Sequence, residues 1–397
     1  MAPTSATKET STRGAWAFVL AVFAASRVLF LGAGAFAATY LPSAVPVGDV
    51  LEPPGSLNYW AHWDGAWYSE IATGGYGEHA PTSTAFFPLY PALVRLGTSL
   101  PGGPALWGVL ISAVATFLAL FFLYRIAENL YGTRAARAAT LAFAFFPTAF
   151  FLNAVYTESL FLALTTGSVW AARVRRNLLL AGLLGFFAAA TRNLGIILVI
   201  PLLFEWLRNR RELGLKGLAS LALVPAGLLA YAAFLWGRFG EPLIFARQQG
   251  EHWGRELANP FTTLARAWQT AREGARYLVD PDLLFISTSP VPTLDASNTL
   301  NLAFLVLFLV LISIGLSVLP PELSLYASLI SLLGVLTPAP SFPLMSLPRF
   351  VLGAFPIFLV LGYLLSRSRT ALVLWLLLSA ASGVALTALF TTWRWVA

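Results

Sequence analysis

The run ALWGVLISAVATFLALFFLY, at residues 105–124, contains twenty consecutive residues without a charge. A helix of this length spans about 30 Å, which matches the hydrocarbon core of a bilayer. Because every face of such a helix is apolar, the run predicts a transmembrane helix. Five further runs of similar length, each with at most one charge, lie at 15–40, 217–237, 299–319, 348–366 and 370–391.

Shorter apolar segments come mostly as two tight pairs, at 138–172 and 177–207. We interpret these pairs as hairpins whose turns lie inside the protein, because irregular backbone at membrane depth is tolerated only there. With the long runs they predict an all-α polytopic membrane protein of about 11 transmembrane helices. The short segments are 138–155, 157–172, 177–191, 193–207 and 322–337.

The composition agrees with this class of protein. Hydrophobic residues make up 58% of the chain and charged residues 11%, whereas soluble proteins carry about 25% charged residues. The net charge of +7 is explained by membrane topology, so no nucleic-acid partner is expected. The absence of cysteine excludes disulfides and thiolate chemistry. The three histidines are scattered along the chain, so we predict no metal-ligating residues. A divalent metal cofactor is left open.

Short loops rich in arginine and lysine predict the orientation. Fourteen of the 25 cations fall on one side if the span count is right, and this side is then cytoplasmic. The N-terminus would be inside, on a retained first helix, and the C-terminus outside, in a prokaryotic cell membrane. Two long segments, 41–104 and 238–298, fall on the opposite side of this single domain, residues 1–397. The cations are Lys8, Arg13, Arg125, Arg134, Arg137, Arg173, Arg175, Arg176, Arg208, Arg210, Arg211, Lys216, Arg367 and Arg369.

The first long segment contains the stretch NYWAHWDGAWYSEIATGGYGEHAPTSTAFFPLYPALVRL, residues 58–96. Asp64 lies between Trp63 and Trp67, with His62 and Tyr68 close by. One interpretation is an interfacial helix with Asp64 as its N-cap and an aromatic belt. The other is a catalytic site, in which Asp64 is the general base for an acceptor hydroxyl and the aromatic faces bind sugar rings.

Two further features of this stretch fit the catalytic interpretation. Glu78 follows a glycine-rich turn, which could bring a second acid near the first. The sequence FFPLYP, residues 86–91, predicts a short amphipathic helix at the membrane interface. A hydrophobic groove at this helix would suit a lipid tail.

Five segments, in this order, resemble the PIG-V-type mannosyltransferase family (GPI mannosyltransferase II-like), which has prokaryotic relatives. The resemblance implies a GT-C-type glycosyltransferase fold, a polyprenyl-phosphate-linked hexose donor, usually mannose, and an active site outside the cytoplasm. It also implies that Asp64 is the catalytic acid of the first loop, and that a glycan or glycolipid is the acceptor. The segments are HWDGAWYSEIATGGY with FFPLYP (62–91), NAVYTESLFLAL (153–164), GFFAAATRNLG (185–195), GEPLIFARQQGEHWGR (240–255) and LPRFVLGAFPIF (347–358).

Several charged and polar residues are candidates for binding the donor or acceptor. A charge at membrane depth costs about 3 kcal/mol or more, so it is usually paired or functional. One interpretation is that Glu158 and Arg192 form a structural pair between the hairpins. The other is that Arg192 binds the donor phosphate, and Arg349 is a second candidate for this role. His252, Trp253 and Arg255 form either a lid or part of a solvated surface helix. Tyr156 and Asn193 complete the set of candidate site residues.

Two functions of other classes compete with the enzyme. A transporter or lipid flippase predicts ionisable residues deep in the spans and functional residues on both sides of the membrane. Here the unusual residues cluster on the outer side, and no Asp or Glu lies at a predicted span centre. A non-catalytic subunit of a glycan-assembly complex would have no need of the Asp64 motif. The sequence therefore favours a glycosyltransferase.

Overall fold

The computed structural model of the chain describes residues 5–45, 55–77 and 80–396, with side chains from residue 14 onward. Within these ranges every regular element is a helix, which confirms the predicted all-α class. Glu78 lies outside the described residues. The helices that pack together as a bundle are α1 Ser5–Tyr40, α4 Gly103–Ala144, α5 Glu158–Arg173, α6 Leu178–Thr191, α7 Val199–Leu221, α8 Leu223–Phe239, α11 Val291–Val318, α12 Pro321–Leu336, α14 Pro356–Leu365 and α15 Arg369–Thr391.

The remaining helices are short and belong to the long loops and to the entry of α14. They are α2 Asp64–Gly74, α3 Leu89–Arg95, α9 Ile244–Glu251, α10 Pro260–Gly274 and α13 Leu347–Phe350. Short 3₁₀ turns at Thr82–Ala85, Ala149–Leu152 and Asn193–Leu198 connect the elements around the site described below.

The predicted count of 11 spans is not confirmed. Five helices in the described part of the chain are long and apolar enough to cross a bilayer, and a sixth candidate is the pair Leu347–Gly353 and Pro356–Leu365, bent by 87°. The count differs because α5, α6 and α12 have only 14 to 16 residues, which is about 24 Å of helix at most. The five helices are Gly14–Tyr40, Gly103–Ala144, Asn193–Phe239, Val291–Val318 and Arg369–Thr391.

The predicted first hairpin is formed by a break in α4 and a buried connection. Gly132 interrupts α4 with φ 82° and ψ 174°, a conformation that glycine adopts without a Cβ clash. The chain then continues to Ala144 and enters an irregular stretch in which Phe150 and Tyr156 are almost fully buried. As predicted, this turn lies inside the protein, where Arg27 of α1 donates to Asn153 Oδ1 at 2.7 Å.

An ionic cluster lies at the far end of α5 from Glu158. Arg173 Nη1 contacts Glu205 at 2.6 Å and Glu322 at 3.0 Å, and Arg208 Nη1 contacts Glu322 at 2.6 Å. Since α5 has 16 residues, about 24 Å separates this cluster from the first residue of the helix. The helical bundle therefore has two polar ends, one containing Glu158 and the other containing the arginines of the short loops.

We expect Glu322→Gln to lower the stability of the fold by about 3 kcal/mol, because two guanidiniums lose the charge of a carboxylate that is only 1% exposed. Thermal unfolding in detergent measures the effect. The control is Glu212→Gln, whose carboxylate is 64% exposed and lies 3.5 Å from Arg176. An equal shift in both variants would contradict a structural role for the cluster.

Candidate active site

Asp64 is the first residue of α2, and Trp63 occupies the N-cap position without a side-chain capping bond. The structure therefore does not support Asp64 as the N-cap, although its carboxylate lies in the first turn, where the helix dipole favours negative charge. Trp63 has φ 56° and ψ −122°, which costs an L-residue on the order of 1 kcal/mol. This strained turn directs the carboxylate of Asp64 toward Arg349.

The C-terminal residues hold this turn in place. The indole of Trp63 packs edge-on against Trp395, with ring centroids 4.9 Å apart. His62 stacks on Trp393 at 3.7 Å, and its Nδ1 lies 3.1 Å from the carbonyl oxygen of Phe390. Because a carbonyl oxygen only accepts, Nδ1 carries the hydrogen of a neutral imidazole. Burial lowers the pKa of His62 from 6.5 to about 4.

The loop containing Asp64 is tied to the turn that precedes α5. The hydroxyl of Tyr156 donates to the carbonyl oxygen of His62 at 3.0 Å, and the amide of Val155 donates to the carbonyl oxygen of Trp60 at 2.9 Å. A Cβ on Gly65 would lie 3.3 Å from the carbonyl oxygen of Val155. This close approach explains the glycine that follows Asp64.

Four charged residues form a continuous chain of contacts. Asp64 Oδ2 lies 2.7 Å from Arg349 Nη1. Glu158 Oε1 lies 2.7 Å from Arg192 Nη1 and 3.1 Å from Arg349 Nε, the latter without hydrogen-bond geometry. The predicted Glu158–Arg192 pair is thus present. These four residues come from the starts of α2 and α5, the turn after α6 and the short helix α13.

Three guanidiniums surround one aromatic ring. The guanidinium carbons of Arg192, Arg255 and Arg349 lie 5.0, 5.1 and 4.8 Å from the centroid of Phe350, within the range of cation–π attraction. Arg255 donates to two backbone carbonyls, those of Thr337 at 3.4 Å and Met345 at 2.9 Å.

Arg255 differs from the other two arginines in having no carboxylate at ion-pair distance among the described residues. Burial, followed by repulsion from Arg349, lowers its pKa to about 10. The side chain still carries its charge at neutral pH.

These residues open into a cavity of about 550 Å³. Seven predicted site residues line it, and six predicted residues pack around it without lining it: His62, Trp63, Trp67, Tyr156, Glu158 and His252. Apolar side chains form the remaining walls, among them Phe86 and Phe87 of the FFPLYP segment and Ile330 and Leu333 of α12. The seven lining residues are Asp64, Tyr68, Arg192, Asn193, Trp253, Arg255 and Arg349.

The aromatic residues outside the lining support those that line the cavity. Trp67 stacks on Phe86 at 5.6 Å and packs edge-on against His252 at 6.3 Å. Trp253 packs against the other side of this group, 5.6 Å from Phe86. The second long loop therefore contributes to the wall of the cavity, and its role as a lid stays a prediction.

Sequence reasoning missed several lining residues, among them Phe350 and Trp395. Phe350 lies within one of the recognised segments, next to Arg349. Trp395 belongs to the C-terminal sequence TTWRWVA, where two tryptophans flanking an arginine were a signal of a folded tail. Arg394 is fully buried and donates to the carbonyl oxygens of Pro42 at 2.7 Å and Ser287 at 2.9 Å. In the described part of the chain, no three His, Asp or Glu residues form a group that could hold a metal ion.

Comparison with known proteins confirms the resemblance over part of the chain. Residues 42–210 match the family described as Mannosyltransferase (PIG-V). No curated protein sequence matches significantly.

Two solved structures are similar to this chain at low sequence identity. The Archaeoglobus fulgidus oligosaccharyltransferase has a TM-score of 0.45 and 15% identity, over 95% of this chain and 56% of that one. ArnT from Cupriavidus metallidurans, alone or bound to undecaprenyl phosphate, has a TM-score of 0.38 and 16% identity, over 92% of this chain and 77% of that one. This chain thus spans little more than half the length of the oligosaccharyltransferase. The family match over residues 42–210 agrees with the predicted class of membrane glycosyltransferase. TM-scores below 0.5 transfer no residue role.

Stability should depend on pH through His62. Between the ordinary histidine pKa of 6.5 and the folded value of about 4, protonation favours the unfolded chain. Stability is therefore lost as pH falls through this window, by about 3 kcal/mol in total, and levels off below it. We expect the thermal midpoint of His62→Gln to fall less steeply with pH than that of the parent chain. Equal slopes for His62→Gln and the parent chain would contradict the assignment.

Proposed function

We propose that the chain transfers a hexose, in the first place mannose, from a polyprenyl-phosphate-linked donor to a hydroxyl of a glycan or glycolipid acceptor, with inversion, outside the cytoplasm. The observation that carries the proposal is the contact of Asp64 with Arg349 at 2.7 Å, at the edge of a cavity with both a cationic and an apolar wall. A lipid-linked phosphosugar has an anionic phosphate, which matches the cationic wall, and an apolar tail, which matches the apolar wall.

The charges at the cavity match such a donor. The site has three guanidiniums and two carboxylates. The carboxylates of Asp64 and Glu158 pair with Arg192 and Arg349, whereas the positive charge of Arg255 is uncompensated. A phosphodiester donor carries one negative charge, and the departing polyprenyl monophosphate approaches two, because its second pKa is about 6. Stabilisation by the arginines therefore increases as the reaction proceeds, which is the requirement for catalysis.

The residues suggest a single displacement. The acceptor oxygen attacks the anomeric carbon while the bond from that carbon to the phosphate oxygen breaks. The acceptor proton passes to the carboxylate of Asp64, and the bonding electrons leave with the phosphate. Arg349 orients Asp64, and Arg255, whose charge has no carboxylate partner, is the first contact of the phosphate. Attack opposite the leaving group inverts the anomeric configuration.

The apolar wall provides the path for the isoprenoid tail. Ile330, Leu333 and Gly334 lie along one side of α12 and line the cavity. Phe87 and Phe245 line it from the first and second long loops. A tail placed between these surfaces would leave the cavity toward the bilayer beside α12.

The two polar ends of the bundle support the proposed orientation. Arg173 and Arg208 belong to the end opposite Asp64, and arginine-rich short loops mark the cytoplasmic side. Asp64 and its cavity would then face the outside, where lipid-linked donors replace nucleotide sugars.

We expect Asp64→Asn to lower the rate of transfer by at least about 100-fold, because the amide cannot accept the acceptor proton. The measurement is transfer of radiolabelled mannose from polyprenyl-phosphate mannose to an acceptor glycolipid in reconstituted vesicles. Glu70→Gln, an acid-to-amide change on the same helix α2 outside the cavity lining, is the control. Full transfer by the Asp64→Asn variant would overturn the role of Asp64, and transport of the donor without transfer would favour a flippase.

We expect Arg255→Gln to raise the KM for the donor by about 10-fold to 100-fold, since one charge-assisted contact with the phosphate is lost. Arg349→Ala should also raise the donor requirement. Arg247→Gln is the matched control, because Arg247 belongs to the same loop but pairs with Glu241 at 2.9 Å and Glu251 at 2.8 Å. An unchanged donor KM in the Arg255→Gln variant would remove this residue from the phosphate site.

A further inference from the structure

A second cavity, of about 540 Å³, lies at the end of the bundle opposite Asp64, where α1, α4, α14 and α15 meet. Helix α15 connects the two ends, since it starts at Arg369 and runs 23 residues to Thr391, about 34 Å. Its far end leads directly to Trp393, which flanks the Asp64 turn. The second cavity is therefore separate from the proposed active site. It is lined by Phe18, Thr133, Arg134, Arg137, Ala138, Leu141, Leu365, Ser366, Arg369 and Leu372.

Three arginines give this cavity an uncompensated positive charge. Arg134, Arg137 and Arg369 have no carboxylate at ion-pair distance among the described residues. Arg137 instead lies over the ring of Phe18, 5.4 Å from its centroid. Arg125, at the same end, is paired with Glu128 at 2.6 Å. Arg210, Arg211 and Arg367 also have no ion pair among the described residues, but they do not line the cavity. The cavity is therefore distinguished by bringing three such arginines to one place.

The cavity also has an apolar part. Phe18 and Leu141 contribute from α1 and α4, and Leu365 and Leu372 from α14 and α15. Arg369 is the first residue of a candidate span, which places the guanidinium at the depth where a helix meets lipid headgroups. A cationic rim above an apolar floor between transmembrane helices is suited to the headgroup of an anionic lipid.

We propose that this cavity binds an anionic phospholipid, with the phosphate among Arg134, Arg137 and Arg369 and the upper acyl chains against Phe18, Leu141 and Leu372. Free phosphate would not contact the apolar floor of the cavity. A zwitterionic lipid would leave the positive charges of the three arginines largely unbalanced. The proposed site is independent of the transfer reaction, since none of its residues touches the first cavity.

Native mass spectrometry of the full chain, titrated with phosphatidylglycerol in detergent, tests the site. The triple variant Arg134→Gln, Arg137→Gln, Arg369→Gln should raise the apparent Kd for phosphatidylglycerol at least about tenfold. The control triple Arg210→Gln, Arg211→Gln, Arg367→Gln removes the same charge from positions at the same end that are likewise exposed but do not line the cavity, and it should bind as the parent does. An equal loss of phosphatidylglycerol affinity in both triple variants would indicate general electrostatic attraction to the surface and would overturn the proposal.

Two further arms identify the ligand. Thr133→Trp fills the cavity from an exposed position and keeps all charges, so weakened binding supports the site and unchanged binding overturns it. Inorganic phosphate should not displace phosphatidylglycerol, because the acyl chains contribute to binding. Displacement by phosphate, or by polyprenyl phosphate at a lower concentration than that of the bound phospholipid, would overturn the assignment to a phospholipid.

Discussion

Glu158 is buried at the start of α5, and a single oxygen of its carboxylate meets the guanidiniums of Arg192 at 2.7 Å and Arg349 at 3.1 Å. An isolated carboxylate at this depth would be too costly to keep ionised, so its partners are a condition for the fold. Because Arg349 also reaches Asp64, this one buried charge fixes the relative positions of the first loop, α5, the turn after α6 and α13.

The same arrangement explains why α13 and α14 are bent relative to each other. Pro356 starts α14 and the two segments meet at 87°, so that Arg349 and Phe350 point into the cavity and not along a straight span. Phe350 then separates three guanidiniums that would otherwise repel one another, at centroid distances of 4.8 to 5.1 Å. The two faces of an aromatic ring attract cations, although the ring is apolar.

The local pattern of apolar and charged residues predicted the features of the structure that depend on residues close in sequence. The hairpin ends at Glu158 and Arg192 follow from the lengths of the apolar segments, and their pair was predicted for that reason. The contact of Asp64 with Arg349 could not be derived, since it depends on how helices distant in sequence pack. Trp395 was missed because the pattern of two tryptophans around Arg394 indicates a folded segment but does not reveal which distant residues it contacts. The span count is not confirmed, because hydropathy alone does not distinguish a short buried helix from a helix that crosses the bilayer.

The uncompensated charge at the site has a physical consequence for the order of binding. With three arginines and two carboxylates, the cavity is cationic before any ligand enters, and Arg255 is held by neutral carbonyls alone. An anionic group entering between Arg255 and Arg349 lowers the repulsion that they exert on each other, whereas a neutral sugar acceptor does not. In the proposed reaction, a lipid-linked phosphate would therefore occupy the site first and complete its charge balance, and the acceptor hydroxyl would then approach an Asp64 that Arg349 already orients.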